Sequence, residues 1–151
     1  MLAVPPEAFD LARRFEGFHR VVQRRPVVMA GPYLCPADYW TIAYGHLCKP
    51  DQAPVDEAQG ELWLEQDLRV ALAATIHWCP RLVREPRRRL AAIVDWTFNL
   101  GGGRLKASTM RRRINDGAWD EVRRELLKWV WGGGRKLPGL IARREAEAVL
   151  L

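Results

Sequence analysis

Between residues 19 and 55 the chain is interrupted by Pro26, Pro32, Pro36, Pro50 and Pro54 and by Gly31 and Gly45. A segment so broken cannot hold a helix, because each proline removes a backbone donor and collides with the turn before it. The β-favouring runs Pro26–Met29 and Tyr39–Tyr44 inside it predict short strands joined by turns. On both sides the apolar residues return to helical spacing. Before the segment, Ala8, Leu11, Ala12 and Phe15 predict a helix from Pro5 to about Phe18, weakened at Gly17. After it, Asp56-Glu57-Ala58-Gln59 reads as a capping box. A long helix to about Trp78 follows, with Leu64, Leu68, Ala71, Leu72 and Thr75 on one stripe and Pro80 as its stop.

The remainder is helical in pieces. Leu90, Ile93, Val94 and Thr97 mark one face of a helix over Pro86–Leu100, broken by Gly101-Gly102-Gly103. Further helices are expected at Ser108–Asn115, Trp119–Trp131 and Gly139–Leu151, separated by Gly117 and by Gly132-Gly133-Gly134 with Pro138. The expectation is an α+β chain of one domain over residues 1–151. It has a β-containing lobe at about 17–56, a linking helix at about 57–79, and a helical lobe made of 1–16 and 80–151. A cleft between two such lobes is a natural binding site.

At 151 residues the chain has room for one real core and not for two independent ones. Hydrophobic residues at 48% and charged residues at 28% are ordinary for a globular protein and argue against disorder. No apolar run reaches the length of a membrane span, and Met1–Pro6 lacks the basic and apolar regions of a secretory signal, so a cytoplasmic origin is expected. A net charge of +6 favours a polyanionic partner without choosing among nucleic acid, anionic lipid and bacterial wall. The arginines alternate with Asp and Glu along helical segments, so a solvated basic face explains them equally well. Cys35, Cys48 and Cys79 have neither zinc-ligand spacing nor an even count; free thiols are the expectation, with no metal site.

Three stretches carry side chains suited to chemistry. Arg14-Phe15-Glu16-Gly17-Phe18 sets a carboxylate between aromatic rings at a helix end. Such surroundings disfavour the charged form and suit a general acid. Taken alone, the motif is better explained by Glu16 as an ordinary exposed helix residue. Tyr39-Trp40-Thr41-Ile42-Ala43-Tyr44-Gly45-His46 offers hydroxyl and imidazole groups on a short strand that turns at Gly45, which an ordinary hairpin would also do. Trp96-Thr97-Phe98-Asn99-Leu100-Gly101 is followed by Trp129–Gly134 and by Leu137-Pro138-Gly139-Leu140 with Arg143-Arg144. Seven tryptophans are many for this length, and their faces can stack on sugar rings as well as fill a core.

In this order the segments resemble the phage lysozyme family, glycoside hydrolase family 24, over nearly the whole chain. The matching residues are Phe15-Glu16-Gly17, then Cys35 with five residues before Thr41, then Thr41-Ile42-Ala43-Tyr44-Gly45-His46, Phe98-Asn99-Leu100-Gly101 and Leu137-Pro138-Gly139-Leu140 with its arginine pair. The resemblance implies a lysozyme-like fold and a muramidase cutting the β-1,4 bond between N-acetylmuramic acid and N-acetylglucosamine in peptidoglycan, for host cell lysis. It implies Glu16 as the acid, Cys35 and Thr41 as the residues that position the attacking water, and inversion at the sugar. Asp38, Tyr44, His46, Asn99 and Arg143 are the expected substrate-binding residues. No cofactor is implied.

Two departures stand out. The eighteen residues between Glu16 and Cys35 exceed the family's usual separation, and the surplus around Val21–Gly31 is expected to form a longer hairpin or loop. Cys35 is not a carboxylate, and a thiol of ordinary pKa is a poor base at neutral pH. Asp38, three residues on, is the alternative partner, although it falls where turn glycines are common. Ala43 replaces the motif's glycine.

A lytic transglycosylase on the same bond is the nearest rival. A non-catalytic cationic module working on wall or membrane through Trp119–Trp131 or Leu140–Leu151 is another. No recognition-helix or nucleic-acid motif accompanies the charge. Peptidoglycan is therefore the expected partner, with the anionic cell envelope as a second, no nucleic acid, and holin-dependent release of a monomer from the host cytoplasm.

Overall fold

The computed structural model describes residues 1–151 as two compact units, Ala12–Asp67 and Met1–Leu11 with Leu68–Leu151. The unit boundaries fall inside two helices, α1 (Pro6–Glu16) and α2 (Glu57–Trp78), rather than at the helix ends expected from the sequence.

The first unit holds the proline-rich segment, folded as two small antiparallel sheets. One is β1 (Val21–Gln23), β2 (Met29–Ala30) and β6 (Val55–Asp56), in which Val21 faces Ala30 and Ala30 faces Val55. The surplus stretch is thus a β1–β2 hairpin. The other sheet is β3 (Tyr33–Leu34), β4 (Trp40–Ile42) and β5 (His46–Leu47), with Thr41 opposite both Tyr33 and Leu47. Of the run Pro26–Met29 only Met29 is in a strand, since the residues before it form the hairpin's connection.

α1 stops at Glu16 because Gly17 adopts φ +68°, a left-handed angle that glycine reaches without penalty. α2 starts where the capping sequence places it: the Gln59 amide donates to Asp56 Oδ1 at 2.9 Å. Its stripe Leu64, Leu68, Ala71, Leu72 and Thr75 is buried throughout.

The second unit is built around α3 (Arg87–Leu100), of which every residue from Leu90 to Thr97 is buried. The Thr75 hydroxyl donates to Thr97 Oγ1 at 3.0 Å, and Thr97 donates in turn to the Ile93 carbonyl at 2.7 Å, which ties α2 to α3 inside the core. Trp96 meets Trp129 edge to face, with ring centroids 5.0 Å apart.

Two expectations for this unit change. Only Gly101, at φ +92°, breaks the chain after α3; the next two glycines open a helix, α4 (Gly102–Ala107). A Cβ at Gly102 would stand 2.9 Å from that of Ala74, so the glycine there serves close packing of α4 on α2. Then α5 (Thr109–Asp116) begins at Ser108, whose hydroxyl accepts from the Arg111 amide. The helix starting at Trp119, α6, ends at Leu126 and not at Trp131. Trp131–Gly132 and Arg135–Lys136 form a hairpin, β7–β8, turned by Gly133 and Gly134, both at positive φ. The chain closes with α7 (Pro138–Ala148).

Candidate active site

Glu16 is half-buried at the last position of α1. Its carboxylate lies against the turn between β4 and β5: a Cβ built on Gly45 would come 3.1 Å from Glu16 Oε2. Gly45 has φ +79°, so both its backbone angle and the space beside it require glycine. Ala43, two residues earlier, is also left-handed at φ +53° and bridges to His19. That angle gives a physical reason for glycine at this position of the motif. Here alanine occupies it, at a strain of about 1 kcal/mol.

Thr41 lies at the centre of β4, only 5% exposed, and its hydroxyl has no hydrogen-bond partner within the protein. A buried hydroxyl left unpaired costs about 1–3 kcal/mol. Cys35 and Asp38 belong to the turn that enters β4. The Cys35 amide donates to the Tyr39 carbonyl and the Asp38 amide to the Cys35 carbonyl, both at 2.9 Å. Asp38 is exposed at φ +61°, the left-handed position that glycine usually fills in such three-residue hairpin loops. Cys35 is half-buried, and it, Cys48 and Cys79 are free thiols.

The remaining expected residues of this unit are directed at α2. The Tyr44 hydroxyl donates to Glu57 Oε1 at 3.3 Å. Burial above all, with the carboxylates of Glu61 and Glu57 adding to it, raises the Tyr44 pKa far above the usual phenol value. Glu61 is held below the ordinary carboxylate range by Arg13, which grips both its oxygens at 2.9 and 2.8 Å. His46 Nδ1 lies 2.8 Å from Asp67 Oδ2, and its ring stacks on Trp63 at a centroid distance of 4.6 Å. The structure thus brings Glu16 together with the Thr41–His46 hairpin while Tyr44 and His46 fasten that hairpin to α2.

Glu57, Glu61, Trp63 and Asp67 were not among the residues expected to matter. Their signal is spacing: Glu57 with Glu61, and Trp63 with Asp67, are four apart and so share helix faces.

Asn99 and Arg143 belong to the second unit. Asn99 Oδ1 accepts from Arg144 Nη2 at 2.9 Å. Arg143, 3% exposed, donates to both oxygens of Asp95 at 2.9 and 2.8 Å, leaving little of its guanidinium open to solvent. Arg144 also pairs with Glu147 at 2.7 Å. Burial pushes the Arg144 pKa down and the Glu147 pKa up, each opposed by the partner's charge.

With the fold and this geometry in place, comparison with known proteins fixes the class. The chain belongs to the phage lysozyme family, whose model matches residues 14–147. An endolysin of Bacillus phage B103 is 32% identical over 117 residues, covering 74% of this chain and 43% of that protein. A SAR-endolysin of Bacteriophage PS119 is 32% identical over 120 residues, covering 77% of this chain and 70% of that one. The muramidase domain of SpmX from Asticaccaulis excentricus superposes with a TM-score of 0.80 at 24% identity, over 99% of this chain and 97% of that domain, so the fold is shared. No helix here is long and apolar enough to cross a membrane.

Proposed function

We propose that this chain is an endolysin that hydrolyses the β-1,4 bond between N-acetylmuramic acid and N-acetylglucosamine in peptidoglycan, as a member of glycoside hydrolase family 24. The observation that carries this reading is the contact of the Glu16 carboxylate with the Gly45 turn of the hairpin that holds Thr41. Glu16 protonates the glycosidic oxygen. The Thr41 hydroxyl, buried without a protein partner, is the group free to hold the attacking water, with Cys35 helping to position it. The water attacks the anomeric carbon from the face opposite the leaving oxygen and gives up a proton to solvent, the C–O bond breaks, and the product is inverted. Asp38 at the exposed turn is assigned to substrate binding, Tyr44 and His46 to fastening their hairpin to α2, and Asn99 and Arg143 to the polar network inside the second unit. The protein acts as a monomer on peptidoglycan and, through its net positive charge, on the anionic cell envelope. It leaves the host cytoplasm through a holin.

The test is a digest of purified peptidoglycan by the native chain and by Glu16→Gln, read by mass spectrometry. Products with reducing ends and at least a hundredfold loss in the variant are expected, within the usual span for removing a general acid. Products with 1,6-anhydro ends would make the enzyme a transglycosylase, and undiminished activity in Glu16→Gln would end the enzymatic assignment.

A further inference from the structure

The β1–β2 hairpin, the surplus between Glu16 and Cys35, takes no part in the chemistry described above. From Gly17 to Ala37 the chain contains no Asp or Glu, while it contains His19, Arg20, Arg24 and Arg25. The connection between β1 and β2 is exposed from Arg24 to Val28. Apolar side chains stand out beside the arginines: Val22 is 62% exposed, Val27 51% and Val28 37%. Gln23 Nε2 donates to the Val27 carbonyl at 3.2 Å across the tip. In the adjoining sheet Leu34 and Trp40, directly opposite each other, are exposed as well.

The segment carries cations and no acids of its own, although the neighbouring strand sets Asp56 opposite Met29, and a cationic tip of this kind suits an anionic partner. Exposed valines just after the arginine pair add what a dissolved polyanion cannot use, an apolar tip that gains by leaving water. Arginines with adjacent apolar residues fit the headgroup boundary of an anionic bilayer, where guanidinium groups meet lipid phosphates and short side chains reach the acyl edge. We propose that the hairpin tip, Arg24 to Val28, is a peripheral docking site for an anionic phospholipid bilayer, holding the protein at the membrane against which the wall lies. The inference names a partner within the envelope-acting function above and rests on that reading.

The test is co-sedimentation of the whole chain with vesicles of phosphatidylglycerol and phosphatidylethanolamine, against pure phosphatidylcholine. Binding is expected to the first vesicle alone and to weaken as salt screens the arginines. Replacing both arginines, R24Q with R25Q, should lower the affinity about 30-fold, from the usual contribution of a basic residue near an anionic surface. The pair V27S with V28S should lower it roughly tenfold. Both variants should digest lipid-free peptidoglycan at the native rate, which also shows them folded. Vesicle binding unaffected by either pair overturns the proposal. So does valine-independent binding matched by equal retention on dextran sulfate, which would make the site one for soluble polyanions. Native digestion without vesicle binding removes the docking site and leaves the enzyme standing. Vesicle binding without digestion of peptidoglycan removes the enzyme and leaves the docking site.

Discussion

Gly45 holds its backbone against the Glu16 carboxylate so closely that a single added methyl would stand 3.1 Å from Oε2, at a φ of +79° that already disfavours any side chain. Gly45→Ala therefore meets two penalties. The left-handed angle alone costs about 1–2 kcal/mol. The methyl must also displace either the hairpin or the acid, and an acid moved by an ångström loses about a hundredfold in rate. Gly103→Ala is the control, since it lies in α4 with nothing within 4 Å of the new methyl. That change should stabilise by about 1 kcal/mol. Thermal melts and a peptidoglycan turbidity assay on both variants separate strain from misplacement.

Thr41 offers an opposite pairing of stability and activity. Its buried hydroxyl lacks a protein partner, so Thr41→Val removes an unsatisfied group from a strand position that valine suits. The variant should gain about 1 kcal/mol, a rise of roughly 2–4 °C in Tm for a chain of this size. Hydrolysis should nevertheless fall, if the hydroxyl holds the nucleophilic water. A variant with lower stability and full activity would assign Thr41 to the fold alone.

The Asp95–Arg143 pair in the second unit is buried on both sides. Asp95→Ala takes its bidentate partner from the buried Arg143 guanidinium, which keeps Glu147 Oε1 at 3.9 Å, and breaking a buried pair costs about 3–5 kcal/mol. Chemical denaturation should show it as a lower midpoint with an unchanged slope. A cost below 1 kcal/mol, the size expected of an exposed pair, would contradict the burial.

Alkaline pH should weaken the fold through Cys79. Burial pushes its thiol up to about 12, whereas an unfolded cysteine ionises near 8.5. The folded form then holds a proton that the unfolded chain releases. Stability from this group is complete below pH 8.5 and declines as pH rises toward 12, by about 2 kcal/mol at pH 10. Cys79→Ala should be less stable at neutral pH, because a small cavity opens, and should lose less between pH 8 and 10 than the native chain. Parallel slopes for the two proteins would remove Cys79 as the cause.

Much of this architecture was legible because the signals are local. The stripe on α2 repeats at helical spacing, and Asp56 lies at the cap three residues ahead of the amide it binds. Glu16 and the Thr41–His46 segment stood out for the same reason, as short runs with unusual chemistry. What could not be read depends on neighbours remote in the chain. Gly101-Gly102-Gly103 looks like one long break until Ala74 is seen to require a glycine inside a helix. Gly132-Gly133-Gly134 predicts a gap, yet two positive φ angles in succession make it a hairpin turn. The approach of Gly45 to Glu16 joins two separate stretches that carry no mark of their meeting. Likewise the anchoring of Tyr44 and His46 by Glu57 and Asp67 required knowing which faces of α2 the hairpin meets.

The division of the chain bears on how it folds. Ala12–Asp67 is one uninterrupted run, complete before Leu68–Leu151 is synthesised, whereas the other unit must recover Met1–Leu11 across that whole run. Closing so long a loop carries an entropy penalty that grows only slowly with its length, but it must be met before α3 and its neighbours reward it. The contacts internal to the β-containing unit are thus all available once Asp67 has emerged. The helical unit, whose central helix emerges later from the ribosome, has to wait for its own beginning to be gathered in.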